Sequence, residues 1–221
     1  MTKISFYYSA MNAGKTTALL QLNHNYNEQG MKTILFTPVF DNRYGEDIIQ
    51  SRIGLKHAAK SYDKNTDFYS IARDVSCIFV DEAQFLSRQQ VLDLAKVSDN
   101  FKIPICCYGL RTDFKGELFE GSKYLLAIAD ELIEIKTICH CGAKATMNAR
   151  IDNSKNIVRE GEQIEIGGNE MYVSLCRKHW WPKTSLTQQI RASLAQDSTI
   201  DESILAEYDF QNIAIVKNPS R

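Results

Sequence analysis

The chain has 221 residues, 44% of them hydrophobic and 24% charged, with 26 Lys/Arg against 27 Asp/Glu and a formal net charge of -1. That length holds one ordinary domain, or a domain with a smaller appendage, and the composition buries a core without a disulfide scaffold and excludes wholesale disorder. Near neutrality argues against holding nucleic acid by bulk charge, no apolar run reaches the roughly 18 residues of a membrane span, and no signal-peptide pattern opens the sequence, so the cytoplasm is the expected compartment.

Taken in chain order, Lys3 to Tyr8 reads as a strand, followed by a Gly-containing turn and a helix from about Lys15 into the Asn25 region. Thr33 to Thr37 reads as a second strand closed by Pro38, and Cys77 to Val80 as a short, continuously apolar one ending in Asp81 and Glu82. Ser87 to Ser98 has helical spacing, with Ser87 as N-cap. Ile103 to Gly109 and Glu131 to Ile135 read as two further strands. Apolar strands interleaved with helices predict an α/β domain over residues 1–136, with a mostly parallel sheet covered on both faces.

The texture changes after Lys136. Residues 137–182 carry short strand-like pieces, Gly pairs and metal-type side chains, which predicts a small second domain. Residues 183–221 are a polar tail, in which Leu186, Ile190 and Leu194 have the spacing of a short helix; a frayed extension is the other reading.

Ser9-Ala10-Met11-Asn12-Ala13-Gly14-Lys15-Thr16 follows the first strand and opens a helix. The run matches the phosphate-loop pattern G-x-x-x-x-G-K-[ST] except that Ser9 stands at the first glycine. Successive backbone N–H groups and a helix N-terminus suit a nucleoside triphosphate. Gly14 allows close approach of the backbone, Lys15 reaches the β/γ-phosphates, and the Thr16 hydroxyl can ligate Mg²⁺. Ser9 is expected to take a backbone angle that glycine takes more easily.

Asp81 and Glu82 close an apolar strand, and in open α/β sheets ligands bind beyond the carboxyl ends of the strands. One carboxylate suits a metal, directly or through water; the other suits proton acceptance from a hydroxyl or orientation of a water. Alternation along a strand predicts that the two side chains diverge.

Of the six cysteines, Cys77, Cys106 and Cys107 lie in apolar runs and read as small buried hydrophobes. Cys139-His140-Cys141 and Cys176-Arg177-Lys178-His179 supply three thiolates and an imidazole, a closed tetrahedral set for structural Zn²⁺. His140 is a fifth candidate whose side chain is expected to point away from the site.

Together these residues resemble the type II, zinc-containing thymidine kinases, and in particular their bacterial branch. The resemblance runs from Lys3 to about Pro182. It is carried by the phosphate loop with Met11 inside it, Asp81-Glu82-Ala83-Gln84-Phe85, Tyr108 to Phe114, Ile166-Gly167-Gly168-Asn169 with Tyr172, and both Cys/His pairs. It implies a phosphate-loop NTPase fold with a zinc-stapled lasso domain. It also implies transfer of the ATP γ-phosphoryl group to the 5′-hydroxyl of thymidine, with Glu82 as general base. Ser9 through Thr16 and Asp81 would bind nucleotide with Mg²⁺. Phe85, Phe114, Phe119 and Tyr172 would wall the nucleoside pocket, Met11 and Leu110 would lie near the thymine methyl, and Ile164 to Tyr172, with Ile166, Gly167 and Gly168, would read the base edge. The zinc ligands would be Cys139, Cys141, Cys176 and His179. A homotetramer is implied too; the charge balance and the lack of a long apolar run add the expectation of no nucleic-acid or membrane partner. Asp41-Asn42-Arg43 follows a strand, so Arg43 is a further candidate for phosphate contact, with a solvated loop arginine as the other reading.

Two other functions fit parts of the pattern. A phosphate-loop ATPase motor would use the strand-end glutamate to activate water. A zinc ribbon on a nucleotide switch would bind nucleic acid, but residues 139–183 carry only seven Lys/Arg against five Asp/Glu.

Overall fold

The structure, a computed structural model, describes residues 3–41, 45, 47–71, 73–163, 171–181 and 185–194. Arg43, Ile166, Gly167, Gly168, Pro182 and the chain beyond Leu194 lie outside the described residues, as does most of the expected base-reading loop. The chain divides into two compact units.

The larger unit comprises residues 1–9, 13–111 and 118–135. Its elements are β1 (Ile4–Ser9), α1 (Lys15–Glu28), β2 (Thr33–Pro38), β3 (Ile48–Gln50), β4 (Lys56–Ala58), β5 (Lys60–Tyr62), α2 (Phe68–Ile71), β6 (Cys77–Val80), a 3-10 turn at Ala83–Phe85, α3 (Arg88–Phe101), β7 (Ile105–Leu110), α4 (Glu120–Ile128) and β8 (Glu131–Glu134). Six strands form one sheet in the order β5-β2-β6-β7-β1-β8, and every pairing in it is parallel.

Side-chain alternation explains why both faces of that sheet are apolar. Ile4, Phe6, Phe36, Ile78, Val80, Ile105 and Cys107 share one cluster with Phe68 of α2, Val91, Leu94 and Val97 of α3, and Leu125 of α4. Leu35, Cys77, Phe79, Cys106 and Tyr108 share the other with Leu19 and Leu20 of α1. The sheet is therefore covered on both faces, as the interleaved apolar runs predict. Cys77, Cys106 and Cys107 are buried free thiols. Ser87 caps α3 as expected, and the cap is reciprocal: its side chain accepts from the Gln90 amide, and the Gln90 side chain accepts from the Ser87 amide. The β3–β4 hairpin, β5, α2 and α4 were not predicted. Lys56, His57 and Ala58 are all exposed, so the second strand of this hairpin carries no apolar alternation to detect.

The smaller unit comprises residues 10–12, 112–117 and 136–221. It contains β9 (Thr137–Ile138), β10 (Lys144–Ala145), β11 (Met147–Ile151), β12 (Ile157–Val158), β13 (Tyr172–Leu175), α5 (Arg177–Trp180) and α6 (Leu186–Leu194). β9 and β10 pair antiparallel, and β11 is the middle strand of an antiparallel β12-β11-β13 sheet. Ala149, Ile151, Leu175 and Trp180 form its core with Cys139 and Cys176. Leu186 and Ile190 of α6 join that core, so the helical spacing in this stretch marks a helix rather than a frayed extension. Among the described residues no helix is long and apolar enough to cross a membrane.

Candidate functional site

The phosphate-type loop turns between β1 and α1 through two left-handed residues, Asn12 at φ 60° and Gly14 at φ 81°. The expectation for Ser9 is corrected here. Ser9 is the last residue of β1 and is not among the positive-φ residues, so the turn is made further along. What serine adds over glycine is a hydroxyl: Lys15 Nζ donates to Ser9 Oγ at 3.1 Å, deep in the unit. Burial pulls the Lys15 pKa down, Glu82 and Asp81 oppose that shift, and Arg52 adds to it. Arg52 is a cation near the loop that the sequence did not single out; it sits in the turn of the unpredicted hairpin.

Thr16 Oγ1 donates to Asp81 Oδ2 at 3.0 Å, so the residue suited to Mg²⁺ and the strand-end carboxylate meet within the larger unit. Asp81 is buried, and burial, followed by the Glu82 charge, pushes its pKa up to about 7. Glu82, like Asp81, lies beyond the last residue of β6, so strand alternation does not set where its side chain points. Its backbone is left-handed at φ 50°, an uncommon conformation for a residue with a side chain. Three contacts hold it there. Glu82 N donates to Asp81 Oδ1 at 3.0 Å, Tyr62 Oη donates to Glu82 O at 2.9 Å, and Gln84 Nε2 donates to Glu82 Oε2 at 2.6 Å.

Gln84 is a second residue that the sequence reading passed over as a role-bearer. Its Oε1 accepts from Leu110 N at 3.0 Å, which ties the turn to the end of β7. Two glycines make room for that turn. A Cβ on Gly109 would lie 2.9 Å from Gln84 Oε1, and one on Gly121 would lie 2.3 Å from the Ala83 carbonyl oxygen. Phe85 packs edge-on against Phe40 at 4.8 Å and Phe119 at 5.7 Å between centroids. Phe119 is almost fully buried, and Leu110 is half-buried.

In the smaller unit, Arg150 is buried with its guanidinium 3.9 Å from the Phe114 ring centroid and 5.3 Å from that of Tyr172. Its Nε donates to Tyr172 Oη at 2.9 Å and its Nη2 to the Glu162 carbonyl at 2.9 Å. Met11, at the tip of the loop, is gripped on both sides: its N–H donates to Asn148 Oδ1 at 2.7 Å, and its carbonyl accepts from Ser174 Oγ. The Met11 amide is therefore spent on a side chain, and the expected run of anion-facing amides does not include it. Asn148 and Arg150 carried no motif signal, because polar residues in a short strand read as its solvated side.

The Cys/His group brings four residues together. Cys139, Cys141, Cys176 and His179 offer ligand atoms that all lie within 4.8 Å of one another. Cys141 Sγ is 3.9 Å from Cys176 Sγ, and His179 Nδ1 is 3.5 Å from Cys139 Sγ and 3.4 Å from Cys176 Sγ. A tetrahedron with Zn–S and Zn–N bonds of ordinary length has edges of about 3.8 Å between sulfurs and about 3.6 Å between sulfur and nitrogen. The donor set therefore fits Zn²⁺. The expectation that His140 points away is corrected: its ring centroid lies 4.3 Å from that of His179, and its Nδ1 lies 3.6 Å from Cys139 Sγ. It is nonetheless not one of the four grouped residues.

Comparison with known proteins adds to this geometry. A family model described as thymidine kinase matches residues 2–180. The thymidine kinase of Zymomonas mobilis subsp. mobilis is 54% identical over 189 residues, covering 83% of this chain and 98% of that protein. The thymidine kinase of Coxiella burnetii is 56% identical over 187 residues, covering 81% of this chain and 95% of that protein. The thymidine kinase of Legionella pneumophila is 55% identical over 187 residues, covering 81% and 90%.

Proposed function

Since this chain belongs to the thymidine kinase family, we propose that it transfers the γ-phosphoryl group of ATP to the 5′-hydroxyl of thymidine, giving dTMP and ADP. The observation that carries this reading is the strand end beside the phosphate loop. One carboxylate, Asp81, accepts a hydrogen bond from Thr16, while the other, Glu82, sits on a left-handed backbone and is held at one oxygen by Gln84. Two neighbouring carboxylates with separate partners suit two separate tasks.

Glu82 accepts the proton of the 5′-hydroxyl as its oxygen attacks the γ-phosphorus and ADP departs. Gln84 and Tyr62 hold the Glu82 carboxylate and backbone in place, so the base is oriented before substrate arrives. Lys15 and the loop residues Ser9, Ala10, Asn12, Ala13 and Gly14 meet the triphosphate, with Met11 shaping the tip. Mg²⁺ bound with ATP would offset phosphate charge, and Thr16 and Asp81 are the residues that would hold it. For the nucleoside, Phe85, Leu110, Phe114, Phe119 and Tyr172 are the contacts proposed from the family resemblance. Ile166, Gly167 and Gly168 are proposed from sequence to read the base edge. Cys139, Cys141, Cys176 and His179 would hold a structural Zn²⁺, all four positions being filled by protein. Family resemblance supports a homotetramer, and the sequence pattern supports the cytoplasm as its compartment. The ATPase-motor and zinc-ribbon readings are not favoured.

The test is a nucleoside panel with ATP and Mg²⁺, scored for monophosphate. Thymidine is expected to be phosphorylated ahead of the other nucleosides. ATP turnover driven by DNA and indifferent to thymidine would overturn the reading.

A further inference from the structure

Neighbouring rungs of one strand pair hold two different parts of the smaller unit. β11 and β13 are antiparallel, with Asn148 opposite Ser174 and Arg150 opposite Tyr172. Residues two apart on a strand share a face, so these four side chains line one face of the pair. The Asn148–Ser174 rung grips the main chain of Met11, the former taking its N–H and the latter bonding its carbonyl. The Arg150–Tyr172 rung is closed by the Nε–Oη bond, stacks on Phe114 and reaches the Glu162 carbonyl.

Asn148 also links the two rungs to the 112–117 segment. Its Nδ2 donates to the Thr112 carbonyl at 2.7 Å, and Trp180 Nε1 donates both to the Asn148 carbonyl at 2.9 Å and to the Phe114 carbonyl at 3.1 Å. Both ends of the buried amide are thus engaged, on the loop tip and on the segment that carries Phe114. Replacing it leaves a part-buried peptide N–H and a buried carbonyl without their partner, which costs free energy.

Residues 10–12 group with the smaller unit while Ser9 and residues 13–16 group with the larger. The peptide chain itself therefore carries any constraint on Met11 into Asn12 and Gly14, the two left-handed residues that shape the loop.

We propose that this ladder couples the two substrates. Asn148, assisted by Ser174, is the positioning residue through which a nucleoside at Tyr172 and Phe114 sets the phosphate loop. Thymidine and the magnesium nucleotide then each bind more tightly when the other is present, by the same factor. The proposal rests on the thymidine kinase reading and adds to it a coupling route and the residues that form it.

The experiment measures, by calorimetry on the full chain, the Kd of a non-hydrolysable ATP analogue with Mg²⁺, without and with saturating thymidine. The wild-type ratio is expected to be at least about fivefold. Asn148→Ala and Ser174→Ala should bring it toward one, and Ser174→Thr, which keeps the hydroxyl, should retain it. Loss of a purely structural support would weaken both ligands alike and leave the ratio standing. Should Asn148→Ala fail to fold, the Ser174 pair decides. A wild-type ratio near one in protein that phosphorylates thymidine overturns the coupling alone, as does an undiminished ratio in the alanine variants. Protein that neither binds nor phosphorylates thymidine overturns the functional reading together with the coupling.

Discussion

β6 and β11 are both buried strands in the middle of a sheet, and they are buried by different means. In β6, Cys77, Ile78, Phe79 and Val80 are fully buried and feed two apolar clusters, one on each face. In β11, Asn148, Ala149, Arg150 and Ile151 are almost as buried, but only Ala149 and Ile151 enter an apolar cluster. Asn148 and Arg150 spend their burial on hydrogen bonds to Met11, Thr112, Tyr172 and Glu162. A unit with a long sheet and covering helices can rely on apolar area. A unit of short strands has less of it and relies on directed polar bonds and a Cys/His group.

The largest expected effect breaks that contrast at the metal-type site. Both tryptophans of the chain, Trp180 and Trp181, lie in the smaller unit, so their fluorescence reports on it alone. Strong chelation, or Cys176→Ser, should unfold the smaller unit, since structural zinc in small domains is worth on the order of 10 kcal/mol. The tryptophan signal should collapse while the helical circular dichroism of the larger unit largely remains. Loss of both signals together, or of neither, would contradict separate means of support. Metal analysis of fresh protein should find about one zinc per chain.

The next effect lies in the larger unit. Glu82→Gln keeps the shape of the side chain and removes proton acceptance, so thymidine phosphorylation should fall by about 10²–10⁴-fold while nucleotide binding persists. Near-normal kcat would remove Glu82 from its role.

The smallest effect is in pH dependence. The Asp81 pKa is raised to about 7 in the fold, above its ordinary carboxylate value. The folded chain therefore binds more protons than the unfolded chain between those two values. Stability from this group is fully present below the ordinary carboxylate range and is lost as pH rises through about 7. Without ligand, Tm should decline across that window, and Asp81→Asn should flatten the decline. Magnesium nucleotide requires the ionised carboxylate, so its affinity should weaken below about pH 7. A Tm profile unchanged in Asp81→Asn would show that Asp81 is not the group responsible.

The same contrast marks how far the sequence could be read. Five of the six sheet strands were legible from short runs of apolar residues, whereas β5, Lys60–Tyr62, has no such run; the phosphate loop and strand-end carboxylates were legible because their spacing is local. The four grouped metal-type residues were legible for a related reason: only a few residue types bind zinc, and they come in close pairs. Asn148 and Arg150 were not legible. In a strand of alternating polarity the polar residues read as the solvated side, and only the partners supplied by distant segments bury them. The β3–β4 hairpin was missed because its second strand is wholly exposed.

The sequence by itself determined five strands of the main sheet and two of its helices, the loop between β1 and α1, the two carboxylates that follow β6, and the Cys/His set. These depend on local pattern and on residue chemistry that does not need a partner to be recognised. The tertiary structure decided what those residues do to one another. It set the left-handed turn at Glu82, turned the serine at the start of the loop into a partner for Lys15, and brought His140 against the site it was expected to leave. It also placed Asn148 opposite Ser174 on either side of Met11. Hydrogen-bond partners far apart in sequence are fixed by register and packing, and neither is written in any one segment of the chain.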